Sequence, residues 1–252
     1  MYPAITIGTL ALPTKPLLLL ANLYFILWLG SRRATALGIP EDLVWNWGFL
    51  SVLGGLVLGR LAYAAQYPEA YLASPLSLLA LRLSAFVPEV AVIGGLLIGL
   101  GYLWRHRVSL GVFVDALAPA LAVGWAIVAL ANFLAGDAYG AVTDVPWAVE
   151  LWGARRHPVQ LYEMVVALVT AGWLWKRPAP RGQGLGGWRL AFAYGLSRLV
   201  LEAWRGDSVV LPGGWRVAQL VALGLVLIAL WGMARAAPPA TELTGENAPK
   251  EG

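Results

Sequence analysis

Seven long apolar stretches, joined by short charged or aromatic connections, leave few folds open to this sequence. They cover about 16–30, 44–65, 86–104, 110–134, 160–175, 188–204 and 217–233. A helix crosses the hydrocarbon core of a bilayer in about 20 mostly apolar residues. The chain has 252 residues, 59% hydrophobic and 13% charged, with a mean hydropathy of +0.69. Soluble domains are about 45–50% apolar and about 25% charged. The excess apolar surface needs hydrocarbon as its solvent. The expectation is an all-α, polytopic membrane bundle with about seven transmembrane helices, forming one membrane domain over 1–236. The first apolar stretch has no basic leader and no small-residue cleavage site, and reads as a retained span. Trp45, Trp47, Trp104, Trp175, Trp188, Trp204 and Trp215 lie near span ends, where indole rings prefer the headgroup level.

Loop charge sets the orientation. One set of connections carries Arg32, Arg33, Arg105, Arg107, Lys176, Arg177, Arg181, Arg189 and Arg235. The opposite set carries Arg82, Arg155, Arg156, Arg205 and Arg216. The richer set is expected in the cytoplasm, which puts the N-terminus outside and the C-terminus inside. Arg155 and Arg156 fall on the wrong side for a topology signal, so another task is expected of them. Residues 237–252 are Pro-rich and polar, too poor in apolar surface to fold alone. They read as a disordered cytoplasmic tail.

The chain has no cysteine and two histidines, His106 and His157. That excludes disulfides, thiolate metal sites and a cysteine nucleophile in this chain. No cofactor and no metal are expected. The net charge of +4 fits cytoplasmic loops facing anionic membrane lipid, not a nucleic-acid surface.

Charged groups inside a membrane are costly and ask for a reason. The sixth stretch carries Arg198 and Glu202, with Arg205 just beyond. Spacings of four and seven put all three on one helix face as a net positive stripe. Guanidinium forks match phosphate oxygens, so an anionic headgroup is one reading. A self-satisfied Arg–Glu pair between helices is the other. Arg60, with Tyr63 three residues on, lies near the outer end of the second stretch, reaching for the same headgroup or snorkelling to the interface. The connection 135–158 is the longest outside one. It holds Gly136, Gly140, Asp137, Asp144 and Glu150, and reads as a wall of a site or as an ordinary surface loop. The string Arg156-His157-Pro158-Val159-Gln160-Leu161-Tyr162-Glu163 opens the fifth stretch. Pro158 suits a first helical turn, His157 sits beside two arginines at a positive helix end, and Glu163 should face the bundle and pair with an arginine.

This last string resembles the Arg-His-Pro-Ser-Gln-Leu-Tyr-Glu signature of the prolipoprotein diacylglyceryl transferase family. Other landmarks follow in order: AITIGTLAL and ILWLGSRRA, LGRLAY, the Gly-Gly of GGLLIG at 94–99, ANFLAGDAYG and YGLSRLVLEAWRGDS. Together they cover about 3–210. The resemblance implies seven spans in a bacterial cytoplasmic (inner) membrane. It implies transfer of the diacylglyceryl group of phosphatidylglycerol to the lipobox cysteine of a preprolipoprotein signal peptide, with release of glycerol 1-phosphate. By resemblance, Arg198 holds the phosphate, Glu202 orients it, and Asn132 and Gly140 shape the headgroup site. Arg60, Arg156, Tyr162, Glu163 and Tyr194 support them, and Asp137 stands where the family has Glu. Arg205 joins the phosphate side, and His157 is the candidate base. Three positions depart from the family pattern. Its histidine before Gly-Gly is Ile93, an arginine before Asn132 is Ala129, and a tyrosine at the first span aligns with Lys15. A non-catalytic paralogue that binds phospholipid or lipoprotein signal peptides is the competing reading.

Overall fold

The computed structural model describes residues 4–7, 10–79, 85–177 and 182–236. The cytoplasmic-tail reading of 237–252, Arg82 and Arg181 lie outside the described residues. A short hairpin, β1 (Ala4–Ile7) with β2 (Leu10–Pro13), precedes the first helix. Then come α1 (Thr14–Ala36), α2 (Glu41–Gln66), the single-turn α3 (Pro68–Ala73), a 3-10 turn at Pro75–Leu79, α4 (Pro88–Arg105) and α5 (Leu110–Ala135). A second hairpin, β3 (Val149–Leu151) with β4 (Ala154–Arg156), is followed by α6 (Val159–Lys176) and α7 (Leu185–Leu201). A 3-10 turn at Glu202–Trp204 and α8 (Val217–Ala236) complete the described residues.

Each of the seven apolar stretches forms a helix of 17 residues or more. Four of these, α1, α2, α5 and α8, are long and apolar enough to cross a membrane. Their outward faces carry large apolar side chains such as Phe49, Leu53, Leu56, Leu227 and Ile228. An aqueous protein does not expose such a surface. This is a multi-pass membrane protein.

Two expectations need correction. The fold is mostly helical but not all-α. Ala4–Ile7 and Leu10–Pro13 pair as strands because β-branched Ile5, Thr6 and Ile7 favour extended backbone, and Pro13 keeps the preceding residue out of a helix. The stretch read as 188–204 starts earlier, at Leu185, and its regular helix stops at Leu201, so Arg205 is not on a continuous helix face with Arg198. The early start has a visible cause. The Asp115 carboxylate on α5 accepts the Gly184 and Gly186 amides at 3.0 and 2.7 Å, capping the orphan donors at the start of α7.

α5 is the central helix, packed by α1, α6 and α7. Small buried residues line it, Ala116, Ala118, Ala120, Ala122, Ala126, Ala129 and Ala131, which lets neighbouring backbones approach closely. It ends at Gly136, whose φ of +78° forms the left-handed cap. α2 pairs with α4 through glycines: a Cβ at Gly55 would lie 2.5 Å from the Ala91 carbonyl oxygen. α8 packs on α7. The C-terminal ends of α5 and α7 and the N-terminal end of α6, with the loops beyond them, form the site.

Candidate functional site

The loop after α5 is fixed from two sides. The Ala141 amide donates to the Trp204 carbonyl at 2.7 Å, and the Gly206 amide to the Tyr139 carbonyl at 2.9 Å. On the other side the His157 amide donates to the Ala141 carbonyl at 3.0 Å, and Arg156 reaches the carbonyls of Leu151 and Gly140 at 3.1 and 3.2 Å. The Arg156 guanidinium also lies 4.8 Å over the Tyr139 ring. Gly140 sits where these strands of chain meet, and a Cβ there would collide with the His157 carbonyl oxygen. Buried Gln160 donates to the Asp137 carbonyl at 2.7 Å. The arginine on the wrong side for topology therefore holds loop backbone, and so does Arg155, which donates to the Val145 carbonyl at 3.1 Å.

Against this frame stands an ion-pair network. Arg198 donates through Nη1 to Glu163 Oε1 at 2.9 Å and through Nη2 to Glu202 Oε2 at 2.8 Å. Arg205 approaches Glu163 at 3.5 Å and Glu202 at 3.7 Å, and forks onto Asp207 at 2.9 and 2.7 Å. Ser208 Oγ donates to Glu202 Oε1 at 2.6 Å. Arg216 Nη1 donates to the carbonyls of Glu202 and Arg205 and to Ser208 Oγ. The 3-10 turn at Glu202–Trp204, in place of a further turn of α7, carries Arg205 onto the network. The expected net positive stripe is corrected by the same geometry. Glu163 and Asp207 join, so Arg198 and Arg205 pair with three carboxylates, and Arg216 brings a third positive charge beside them through two carbonyls and Ser208. An anion here is met by directed N–H donors, not by a surplus of charge.

Two cavities flank the network and share Tyr194, Arg198 and Arg205. The larger, about 850 Å³, runs between α1, α5 and α7, from Asn132 and Ala138 down to Val114 and Gly187. The smaller, about 460 Å³, lies between α7 and α8 and includes Asp207 and Ser208. Charged walls thus sit at one end of apolar clefts, the surroundings an amphiphile requires.

The sequence profile of the prolipoprotein diacylglyceryl transferase family matches residues 3–235. The chain belongs to this family. Curated relatives named phosphatidylglycerol–prolipoprotein diacylglyceryl transferase agree. One from Aliivibrio fischeri is 31% identical over 255 residues, covering 94% of this chain and 91% of the relative. One from Bordetella parapertussis is 33% identical, covering 89% and 90%. One from Geobacter sulfurreducens is 32% identical, covering 82% and 83%.

Of the family positions singled out in the sequence, Asn132, Glu163, Tyr194, Arg198 and Arg205 line the larger cleft, and Glu202 lines the smaller. Gly140, Arg156 and Asp137 hold the adjoining loop. His157 lines neither cleft; its Nδ1 is 3.3 Å from the Tyr162 hydroxyl, which accepts Trp147 Nε1 at 2.7 Å. Arg60 and Tyr63 are not brought to the cluster. Arg60 is buried and donates to the carbonyls of Ser77, Leu78 and Ala85 at 2.7, 3.2 and 2.8 Å, which fixes the α2–α4 connection. Tyr63 packs on Tyr67, with centroids 5.0 Å apart. Lys15, aligned with a family tyrosine, pairs with Asp137 at 2.6 Å. Sequence reasoning missed Asp207, Ser208, Arg216, Gln160 and Asn22. Gln160, Asp207 and Ser208 lie inside the two quoted motifs, and Arg216 was visible only as one of the few charges in the outer loops.

Proposed function

We propose that this chain is a transferase that moves the diacylglyceryl group of phosphatidylglycerol onto the lipobox cysteine of a preprolipoprotein signal peptide. The observation that carries the reading is Arg198, held between Glu163 and Glu202 where two apolar clefts meet. Seven membrane spans, an outside N-terminus and a cytoplasmic C-terminus in a bacterial inner membrane place this cluster beneath the outer face. The lipid lies with its chains in the larger cleft and its phosphate at Arg198 and Arg205. Their free N–H groups stabilise the charge that grows on the leaving phosphate. Glu163 and Glu202 fix the two guanidiniums, and Asn132, Asp137, Gly140 and Arg156 shape the rim. The cysteine sulfur bonds to the glyceryl carbon as the carbon–oxygen bond to phosphate breaks. The electron pair leaves on glycerol 1-phosphate, and the thiol proton balances the released monoester.

The test is purified full-length protein with phosphatidylglycerol and a lipobox peptide, read by peptide mass. A diacylglyceryl mass gain, lost when the peptide cysteine is replaced by serine, is expected. Lipid binding without any mass gain would instead favour the non-catalytic reading that Ile93 and Ala129 raise.

A further inference from the structure

The larger cleft contains polar side chains that the ion-pair network does not use, among them Asn132, Tyr194 and Asn22. Asn22, on α1, is 6% exposed and lines the cleft with Gly124, Trp125 and Tyr194. Its amide is oriented, because Nδ2 donates to the Gly124 carbonyl at 3.2 Å. The other end, Oδ1, is buried and has no hydrogen-bond partner. Buried acceptors are nearly always satisfied, so this one asks for a donor.

Its depth narrows the choice of donor. Trp125 packs edge-on against Tyr194 with centroids 5.1 Å apart, which brings Gly124 and Asn22 to the level of Tyr194. Arg198 is one helical turn further out on α7, about 6 Å by helix rise. Inward of its phosphate a diacyl lipid offers ester oxygens and methylenes, none of which donates a hydrogen bond. Its headgroup hydroxyls lie on the outer side. Of the two substrates, only the peptide offers a donor at the level of Asn22.

We propose that Asn22 Oδ1 accepts a hydrogen bond from the lipobox segment of the incoming prolipoprotein, from a main-chain N–H or the cysteine S–H. The contact rests on the transfer reading above and deepens it. Displacement at carbon needs the sulfur to approach opposite the breaking carbon–oxygen bond, from the side away from the phosphate. Asn22 stands on that side. It is a positioning residue: it holds the peptide while the sulfur–carbon bond forms and glycerol 1-phosphate departs.

The experiment measures affinity for a fluorescent lipobox peptide and, separately, for a soluble short-chain phosphatidylglycerol, using full-length protein in detergent. Asn22→Leu removes the acceptor at similar volume. Peptide affinity should fall about fivefold, as expected for one hydrogen bond, while lipid affinity stays within about twofold. Gly124→Ala leaves Asn22 in place but sets a methyl carbon 3.1 Å from Oδ1 and 2.5 Å from Ile26 Cδ1, so the Ile26 side chain must shift as the acceptor is covered; it should reproduce the peptide-selective loss. Unchanged peptide affinity in both variants, an equal loss for both ligands, or a loss for lipid alone would overturn the proposal. Asn22-dependent peptide binding by a wild-type protein that forms no thioether would support the contact and count against the transfer reading instead.

Discussion

Arg198 holds the network together, and in the proposed function it also holds substrate phosphate; a pair of variants separates the two tasks. Arg198→Met removes two short ion pairs at once, to Glu163 and to Glu202. The Glu202 side chain is 2% exposed and that of Glu163 7%, so both carboxylates are left buried with their strongest partner gone. Breaking a buried pair from one side costs about 3–5 kcal/mol, mostly for the charge left behind. Adding Glu202→Gln removes one stranded charge, and the amide oxygen still accepts from Ser208. The double variant should recover about 2 kcal/mol of that loss. Transfer should stay about 10²–10³ below wild type in both, the usual cost of losing one donor to a transition-state oxyanion. Denaturant unfolding in detergent and thioether formation by mass supply the two readouts. A double variant that regains wild-type transfer along with its stability would show that the arginine serves the fold alone.

Asp207 occupies the Arg205 fork with a side chain that is 29% exposed, so substrate phosphate must compete with it. Asp207→Asn should lower the KM for phosphatidylglycerol by about threefold, through weaker competition for a charge-assisted donor, and initial-rate kinetics would report it. Gly140→Ala drives a methyl group into the His157 carbonyl; it should abolish transfer and lower the unfolding midpoint. Arg60→Leu frees three carbonyls, that of Ala85 buried and those of Ser77 and Leu78 half-buried, and should cost about 2–4 kcal/mol of stability, while the transfer rate per folded molecule stays at the wild-type level.

How much of this the sequence carried depends on the kind of interaction. Apolar length located the seven long helices, four of which are long and apolar enough to cross a membrane. The pairing of Glu163 with an arginine was legible too, since a carboxylate at membrane depth has few other choices. The balanced charge of the cluster was not. It depends on a 3-10 turn that brings Arg205, Asp207 and Ser208 back toward α7, and turn geometry leaves little mark on hydrophobic periodicity. Arg60 was misplaced for a related reason. Its position near an outer span end fits a headgroup ligand and a backbone clamp equally well, and only the path of the α2–α4 connection selects the clamp. Asn22 carried no signal at all, because a single amide in an apolar helix reads as tolerated until its neighbours are known.

The family departures at 93, 129 and 15 bear on how the thiol is activated. Ile93 is 58% exposed on α4, a helix packed against α2, and lines neither cleft. Ala129 is 1% exposed within α5 and also lines neither cleft. A histidine restored at 93 would stand apart from Arg198 and Arg205, so Ile93→His should leave the transfer rate unchanged. The directed N–H donors and local field of those two guanidiniums are what remain to favour a thiolate, since hydrogen bonding to the charged form lowers its pKa below a thiol's ordinary value of about 8.5. The rate should then climb about tenfold per pH unit while the lipobox thiol ionises, and level off below pH about 8.5 as a single transition. His157 is turned toward Tyr162 and lines neither cleft, so His157→Gln should keep that profile. A rate gain in Ile93→His, or loss of the rising limb in His157→Gln, would mean that an imidazole takes the proton and that the arginine field alone does not suffice.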